Sequence, residues 1–376
     1  MKKLLLIGAG HAHVEVLRQF SLYPAANAAI TMVSPQRQMT YAGMLPGLVA
    51  GHYTAGQCRV DLGPLAQKAG IELLTDRVVG LDAEGQVAMT ASGRRLEFDF
   101  ASIDIGVTPF APEVPGLRRF ALLAKPVEVF LEGWNRVREL AGEGGLSRLT
   151  VVGGGAAAVE LMLAMQHRLR RELPQSAFGD FGFSIVTEGP RLLDELPEQL
   201  GLAVEALCVA RGISLLRGAT VKLVERDGLL LSNGAQLASD ITVWASGAYS
   251  ARWLAAAGLA CDMGGFMQTD ASLRSLSHQR IYGAGDCSMP EQRPRPFVGI
   301  CGLPQGPALA ANLRQALASQ PSLPWAPPPD ERAMLSLGAR RAFGMRGAAM
   351  LNTPHWFNWR WKDWADRRWV RRFRVG

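Results

Sequence analysis

Residues 7–15 read Ile-Gly-Ala-Gly-His-Ala-His-Val-Glu, and residues 152–160 read Val-Gly-Gly-Gly-Ala-Ala-Ala-Val-Glu. Each follows an apolar run suited to a buried parallel strand, Leu4-Leu5-Leu6-Ile7 in one case and Leu149-Thr150-Val151-Val152 in the other, and each opens a helical pattern. One G-x-G turn is a weak signal, because glycine serves many tight turns. Two copies 145 residues apart, both ending in Val-Glu, predict two dinucleotide-binding units in one chain. In such a turn the first glycine makes the bend and the second lets a pyrophosphate approach the backbone. The free N–H groups and positive dipole end of the following helix then face that anion. Gly8 and Gly10 fill these roles in the first unit, Gly153 and Gly155 in the second.

Working outward, residues 3–8, 11–22 and 29–34 form a strand, a helix and a second strand, which completes a βαβ unit. Residues 149–153, 156–171 and 183–187 repeat it. The stretch Thr40 to Gly47 reads as a loop, residues 71–100 as an antiparallel excursion, and 126–141 as a helix. Ile281 to Asp286 is a strand ending in a Gly-Asp turn, followed by a helix at 306–318. Five prolines fall in the nine residues 321–329, which marks a linker before a small tail.

The third fingerprint position wants a small side chain to pack helix on strand. Ala158 obeys this rule. His13 does not, and is read as a packed, hydrogen-bonded residue. His11, beside the turn, is a candidate for approaching the phosphates. The residue ending the second strand of each unit reads the adenosine ribose. In the second unit it is Glu188, whose carboxylate accepts from ribose hydroxyls and repels a 2′-phosphate, so NADH is expected over NADPH; a solvated strand-end acid is the plain alternative. In the first unit the equivalent is Ser34, and either Ser34 or Arg37 takes the ribose.

The bulk properties bound these readings. The chain has 376 residues, enough for two or three domains, and is 48% hydrophobic. Five scattered cysteines include no C-x-x-C pair, so neither a disulfide framework nor a metal cluster is indicated, and a reducing, cytoplasmic setting is expected. Met1-Lys2-Lys3 and the apolar run after it resemble a signal peptide, but the run stops at Gly8 and charge follows at Glu15 and Arg18. No stretch of about 18 apolar residues is present to span a bilayer. The net charge is +7, of which residues 355–376 contribute +5.

The order of motifs is G-x-G at the start, Gly153 to Glu160, Val243-Trp244-Ala245-Ser246-Gly247, and Tyr282-Gly283-Ala284-Gly285-Asp286. This order resembles the flavoproteins with two dinucleotide-binding domains: type II NADH dehydrogenases, sulfide:quinone oxidoreductases and pyridine nucleotide–disulfide oxidoreductases. The resemblance spans about residues 1–320. Gly10 to Val14, Thr40 to Gly51 and Trp359 to Trp364 are similar, in addition, to the dehydrogenase-like module fused to some selenophosphate synthases. The resemblance implies an α/β fold with two Rossmann-like domains and a C-terminal basic and aromatic tail. FAD would occupy a discontinuous domain (1–112 and 243–320), NADH the domain between (113–242), with 321–376 as linker and tail. It further implies that Asp286, after Gly285, bonds the flavin ribityl chain and that the helix from Gly306 points at the flavin pyrimidine. Gly106 would lie near the FAD pyrophosphate, and Gly247, which ends the Val243 to Gly247 motif, would be a cofactor-binding residue. Pro46 would lie beside the isoalloxazine. Lys125 would face the flavin, unless it is a surface lysine, and Glu160 the nicotinamide, unless it only complements a helix dipole.

Three departures bear on the electron acceptor. Around residues 40–60 only Cys58 is present, so a dithiol relay is not expected. Residues 156–180 lack the cysteine of sulfide:quinone enzymes. Where type II dehydrogenases carry two glutamines before the last FAD helix, this chain has Cys301 and Gln305. The implied function is an NADH dehydrogenase passing electrons through FAD to a quinone. The alternatives are reduction of a sulfur or selenium compound at Cys301, which otherwise is a small buried hydrophobe, and a non-catalytic flavoprotein scaffold or sensor. Trp356, Phe357, Trp359, Trp361, Trp364 and Trp369 interleave with arginine and lysine in the tail, a composition that suits an interfacial helix on the inner face of the cell membrane. In a helix Phe357, Trp361, Trp364 and Ala365 would share its lipid-facing side. Arginines stacked on tryptophans could instead cap the fold or a homodimer interface; no reader motif supports nucleic acid.

Overall fold

A computed structural model describes residues 1–25, 27–107, 114–291, 302–326, 332–346, 349–350 and 355–375. The chain opens with β1 (Lys2–Ile7), α1 (His11–Leu22), β2 (Ala28–Ser34), α2 (Leu45–Val49), β3 (Glu72–Thr75) and β4 (Phe100–Ile103). A second series follows: β5 (Ala121–Leu123), α3 (Val127–Gly142), β6 (Arg148–Val152), α4 (Ala156–Glu172), β7 (Gly182–Val186), β8 (Ile213–Leu216) and β9 (Ile241–Trp244). The first lobe is then completed by β10 (Ile281–Gly283) and α5 (Gly302–Leu317). Beyond it lie the hairpin β11 (Arg332–Ser336) and β12 (Ala342–Arg346) and the helix α6 (Trp356–Arg371).

Two parallel five-stranded sheets result, ordered β10-β4-β1-β2-β3 and β5-β9-β6-β7-β8. The topology repeats itself. In each lobe a central strand leads through a glycine turn and a helix to its neighbour, then to a third strand. A three-stranded antiparallel ribbon follows (78–97 and 221–238), and the chain returns to the other side of the central strand. Leu4, Leu5, Leu6 and Ile7 are all buried, as a parallel strand covered on both faces requires. The duplicated register, Ile7 opposite Val33 and Ile103, and Val152 opposite Val186 and Trp244, brings both glycine turns to the carboxyl edge of a sheet, where open α/β folds bind ligands.

Several expectations need correction. Thr40 to Gly47 is not a loop: a short strand (Gln38–Thr40), a 3-10 turn (Ala42–Met44) and α2 occupy it. Residues 71–100 are not wholly antiparallel, because β3 joins the parallel sheet through Thr31–Glu72 to Ser34–Thr75 pairing. Residue 243 lies inside β9, which pairs with β6 in the second sheet, so the chain leaves that lobe after Trp244. Residues past 331 are not an appended tail. Leu335, Leu337, Phe343 and Met345 enter the core of the second lobe, and Ala342, Trp359, Val370 and Phe373 that of the first. The hairpin turn sits so close on α4 that a Cβ on Gly338, at φ +79°, would lie 2.2 Å from the Leu163 carbonyl oxygen.

Candidate active site

The second glycine turn is built as the fingerprint requires. Gly153 adopts φ +135°, and a Cβ there would lie 2.9 Å from the Ala245 carbonyl. Gly154 packs against Thr187, while Gly155 faces open space. The first turn of α4 carries no acidic residue and no side-chain cap, so its positive end is available to an anion. A cleft of about 610 Å³ runs past this helix start and is lined by Glu188, Trp244 to Tyr249, Lys125 and Asp286. Gly247 turns in it at φ +69°, and the Glu188 side chain is exposed to it.

In the first lobe, α1 likewise begins without a first-turn acid, and its N-cap residue is Gly10, which has no side chain to cap it. A Cβ on Gly8 would meet the Asp104 carbonyl at 2.4 Å, and one on Gly10 or Gly285 would meet Asp104 Oδ1 at 2.1 or 2.2 Å. Three glycine backbones therefore form one cradle around Asp104, a residue the motifs did not single out. His13 fills the third fingerprint position as a packed residue: it lies 2.7 Å from the Gly8 carbonyl through Nδ1 and 2.8 Å from Ser102 Oγ through Nε2. Burial pushes its imidazole down to about 4.

The two lobes meet at a charged pair. Lys125 Nζ donates to Asp286 Oδ2 at 3.1 Å, which joins the end of the cleft to the turn after β10. Next to this pair stands His11. Its Nε2 is buried and has no hydrogen-bond partner among the described residues. Burial pushes the imidazole down to about 4, with Asp286 pulling it up and Lys125 down. The His11 ring packs edge-on against Tyr41 at 5.4 Å and tilted against Trp369 at 5.5 Å, and the latter two stack at 4.3 Å. Tyr41 donates to Asp366 Oδ1 at 3.2 Å, and Lys362 Nζ donates to Asp366 Oδ2 at 2.6 Å. α6 thus supplies one wall of the site, a role invisible in its composition.

The remaining candidates are distributed as follows. The Ser34 hydroxyl donates to the Gln36 carbonyl at 2.7 Å and is held in its own turn, whereas Arg37 is exposed at the end of β2. Pro46 is buried in α2. Gly106 is exposed after β4, with open space about it. Glu160 is turned to the C-terminal hairpin: its Oε1 accepts the Ser336 N–H at 2.6 Å, and burial pushes its carboxyl up to about 7 despite the pull of Lys362. Gln305 is buried, and its Oε1 accepts the Gly285 N–H at 2.7 Å, so it braces the turn after β10. Gly306 does not start its helix, which begins at Gly302. It lies one turn in, where a Cβ would strike Glu15 and Ala12 of α1. Cys301 lies outside the described residues.

The residues present fit the cofactors that such an arrangement implies. A glycine turn leads into a helix start without a first-turn acid in each lobe, and one buried imidazole nitrogen, His11 Nε2, is left without a partner beside the first. The chain is 27% identical over 285 residues to an NADH dehydrogenase-like protein of Mycobacterium tuberculosis, a match covering 71% of this chain and 70% of that one. Its fold superposes on the sulfide:quinone oxidoreductase of Aquifex aeolicus with a TM-score of 0.82 at 18% identity, covering 98% of this chain and 90% of that one. NDH2 of Plasmodium falciparum, solved with NADH, gives 0.81 at 15% identity and covers 98% and 96%. Residues 2–313 match the family described as pyridine nucleotide-disulphide oxidoreductase. The chain belongs to that family and is an FAD-dependent NAD(P)H oxidoreductase.

Proposed function

We propose that the chain oxidises NADH and passes the electrons, through FAD, to a quinone at a membrane surface. The observation that carries this reading is a convergence at His11. The nicotinamide-side cleft ends at the Lys125–Asp286 pair, the charges of that pair act on His11, and α6 closes over His11 with Trp369. The same helix turns Trp356, Phe357 and Trp364 outward, each about 60% exposed, along a face shared with exposed Arg360, Arg368 and Arg371. This surface has the Trp/Arg character of an interfacial helix, and it is reached at 3- and 4-residue steps from Phe357. It differs from the face expected from sequence, because Trp361 and Ala365 are half-buried. Among the described residues no helix is long and apolar enough to cross a membrane.

In this reading Glu188 takes the adenosine ribose of NADH, the start of α4 with Gly153 and Gly155 takes its diphosphate, and Gly247 leaves room in the turn opposite. Gly8, Gly10 and the α1 start take the FAD diphosphate, Arg37 reaches its adenosine side, and Gly106 keeps the approach open. Asp286, held by Lys125, fixes the flavin-side chain; Gly285, braced by Gln305, and Pro46 shape the ring site. Bound FAD supplies two-electron transfer between nicotinamide and acceptor. The protein orients the reactants and excludes water from His11.

The test is anaerobic mixing of purified holoprotein with NADH. Rapid loss of the oxidised-flavin absorption band, and its return on adding a short-chain quinone, is the expected result. A band that NADH leaves intact would overturn the assignment; one that bleaches but is not restored by quinone would overturn the acceptor alone.

A further inference from the structure

Asp104 sits where the backbones of Gly8, Gly10 and Gly285 meet in the first lobe. It follows β4 and is 2% exposed. Its backbone is tied to both neighbours: its N–H donates to the Ile7 carbonyl at 2.9 Å, and its carbonyl accepts the Gly10 N–H at 3.0 Å. Its Oδ2 accepts the His13 N–H at 2.8 Å, and the amide of Ala12 also turns toward the carboxylate. The His13 amide, a first-turn donor of α1 of the kind expected to serve a phosphate, is therefore engaged by a side chain of the protein itself. Oδ1 is wedged between Gly10 and Gly285.

A dinucleotide diphosphate brought to the start of α1 would place further negative charge beside this carboxylate, in a site shielded from solvent. Like charges in such a place are not both kept. We propose that Asp104 is a proton-linked positioning residue, whose carboxyl takes up one proton when the FAD diphosphate docks on the α1 start. The protonated carboxyl would keep its place between the two glycine turns without opposing the anion. This rests on FAD occupying the first lobe.

The groups facing Asp104 leave it as the one that changes charge near neutrality. Burial and the nearby Asp286 push its carboxyl up to about 7, against the pull of the α1 amides. From α1, His13 is pushed down to about 4 and is neutral, as is His11 beyond it. From the turn after β10, burial pushes the Cys287 thiol far up, and Asp286 is held by Lys125 from the other lobe. From α5, Gln305 presents an uncharged amide.

The experiment is FAD binding to apoprotein, followed by protein fluorescence between pH 6 and 9. The dissociation constant of the wild type should be flat below about 7 and then rise with pH, by up to roughly tenfold per unit for one linked proton. Asp104→Asn should bind FAD with a flat profile across the range. Calorimetry of the wild type at pH 8, in two buffers of different ionisation enthalpy, should show proton uptake on binding, and this readout does not depend on any variant folding. A flat wild-type profile without proton uptake would overturn the proposal while leaving FAD binding in place, as would an Asp104→Asn slope equal to that of the wild type. Failure of the wild type to bind FAD at every pH would instead remove the FAD reading, and the proposal with it.

Discussion

Lys125 Nζ and Asp286 Oδ2, 161 positions apart in the chain, lie 3.1 Å apart and link the two nucleotide lobes. Lys125 follows β5 of the second lobe, and Asp286 follows β10 of the first. Bonds to charged groups contribute about 1.5–3 kcal/mol when shielded, and the partial exposure of the lysine moves this pair to the lower end. Lys125→Met is therefore expected to slow the bleaching of bound FAD by NADH roughly tenfold while FAD stays bound. An unchanged bleaching rate in stopped-flow absorbance would show that the pair does not position the reactants.

Glu188 follows β7, two residues past Val186, and lines the cleft beside the α4 start. A carboxylate there favours ribose hydroxyls and opposes a phosphate on the 2′ oxygen. Replacing it by arginine reverses both effects. Glu188→Arg should lower kcat/KM for NADH and raise it for NADPH, with the ratio moving by about tenfold or more, since each 1.4 kcal/mol of differential binding is a factor of ten. Steady-state kinetics with both nucleotides decides it, and a ratio equal to that of the parent would place the ribose elsewhere.

The two sheets and their glycine turns were legible because each rests on local features: an apolar strand, a turn only glycine tolerates, and an amphipathic helix. α1 falls on His11–Leu22, the span read from the sequence. What was not legible depends on contacts across the chain. Nothing near Asp104 in sequence announces that it meets Gly10 and Gly285, positions about 94 and 181 residues away. The family resemblance implies that Glu160 lies near the nicotinamide, yet tertiary packing turns it to Ser336. The sequence put Phe357, Trp361, Trp364 and Ala365 on one lipid-facing side, but Trp361 and Ala365 are half-buried, Trp359 faces the first-lobe core and Trp369 stacks on Tyr41. A composition that suits lipid equally suits a protein interior, and only the partner decides.

That division of α6 makes two kinds of substitution separable. Trp359 is 8% exposed, beneath Arg340 and against His52. Trp359→Ala should destabilise the fold by about 3–5 kcal/mol, the usual range for a buried tryptophan, seen as a lower denaturation midpoint. Changing Trp356, Phe357 and Trp364 together to serine removes only exposed surface. This triple variant should keep the parental midpoint yet float poorly with anionic vesicles. Equal flotation of variant and parent would assign the exposed face to something other than lipid.

Glu160 offers a pH test of how the C-terminal hairpin is held. Its carboxyl is pushed up to about 7 in the fold, from an ordinary value of 4.5, chiefly by burial, with Asp366 adding to the rise and Lys362 and the Ser336 N–H opposing it. Between those values the folded chain holds a proton that the unfolded chain releases. The contribution is thus fully present below about 4.5 and is lost as pH rises through about 7. Glu160→Gln keeps an oxygen to accept the Ser336 N–H and removes the titration. The variant should match the parent in thermal midpoint at pH 5 and exceed it at pH 8. His13 and His167, both pushed down to about 4, act in the opposite sense, removing stability as pH falls from 6.5 toward 4, and they do so equally in both proteins. Comparing variant with parent at each pH cancels that term, so a Glu160→Gln midpoint that falls between pH 5 and 8 as steeply as the parent's would show that Glu160 is already ionised in the fold.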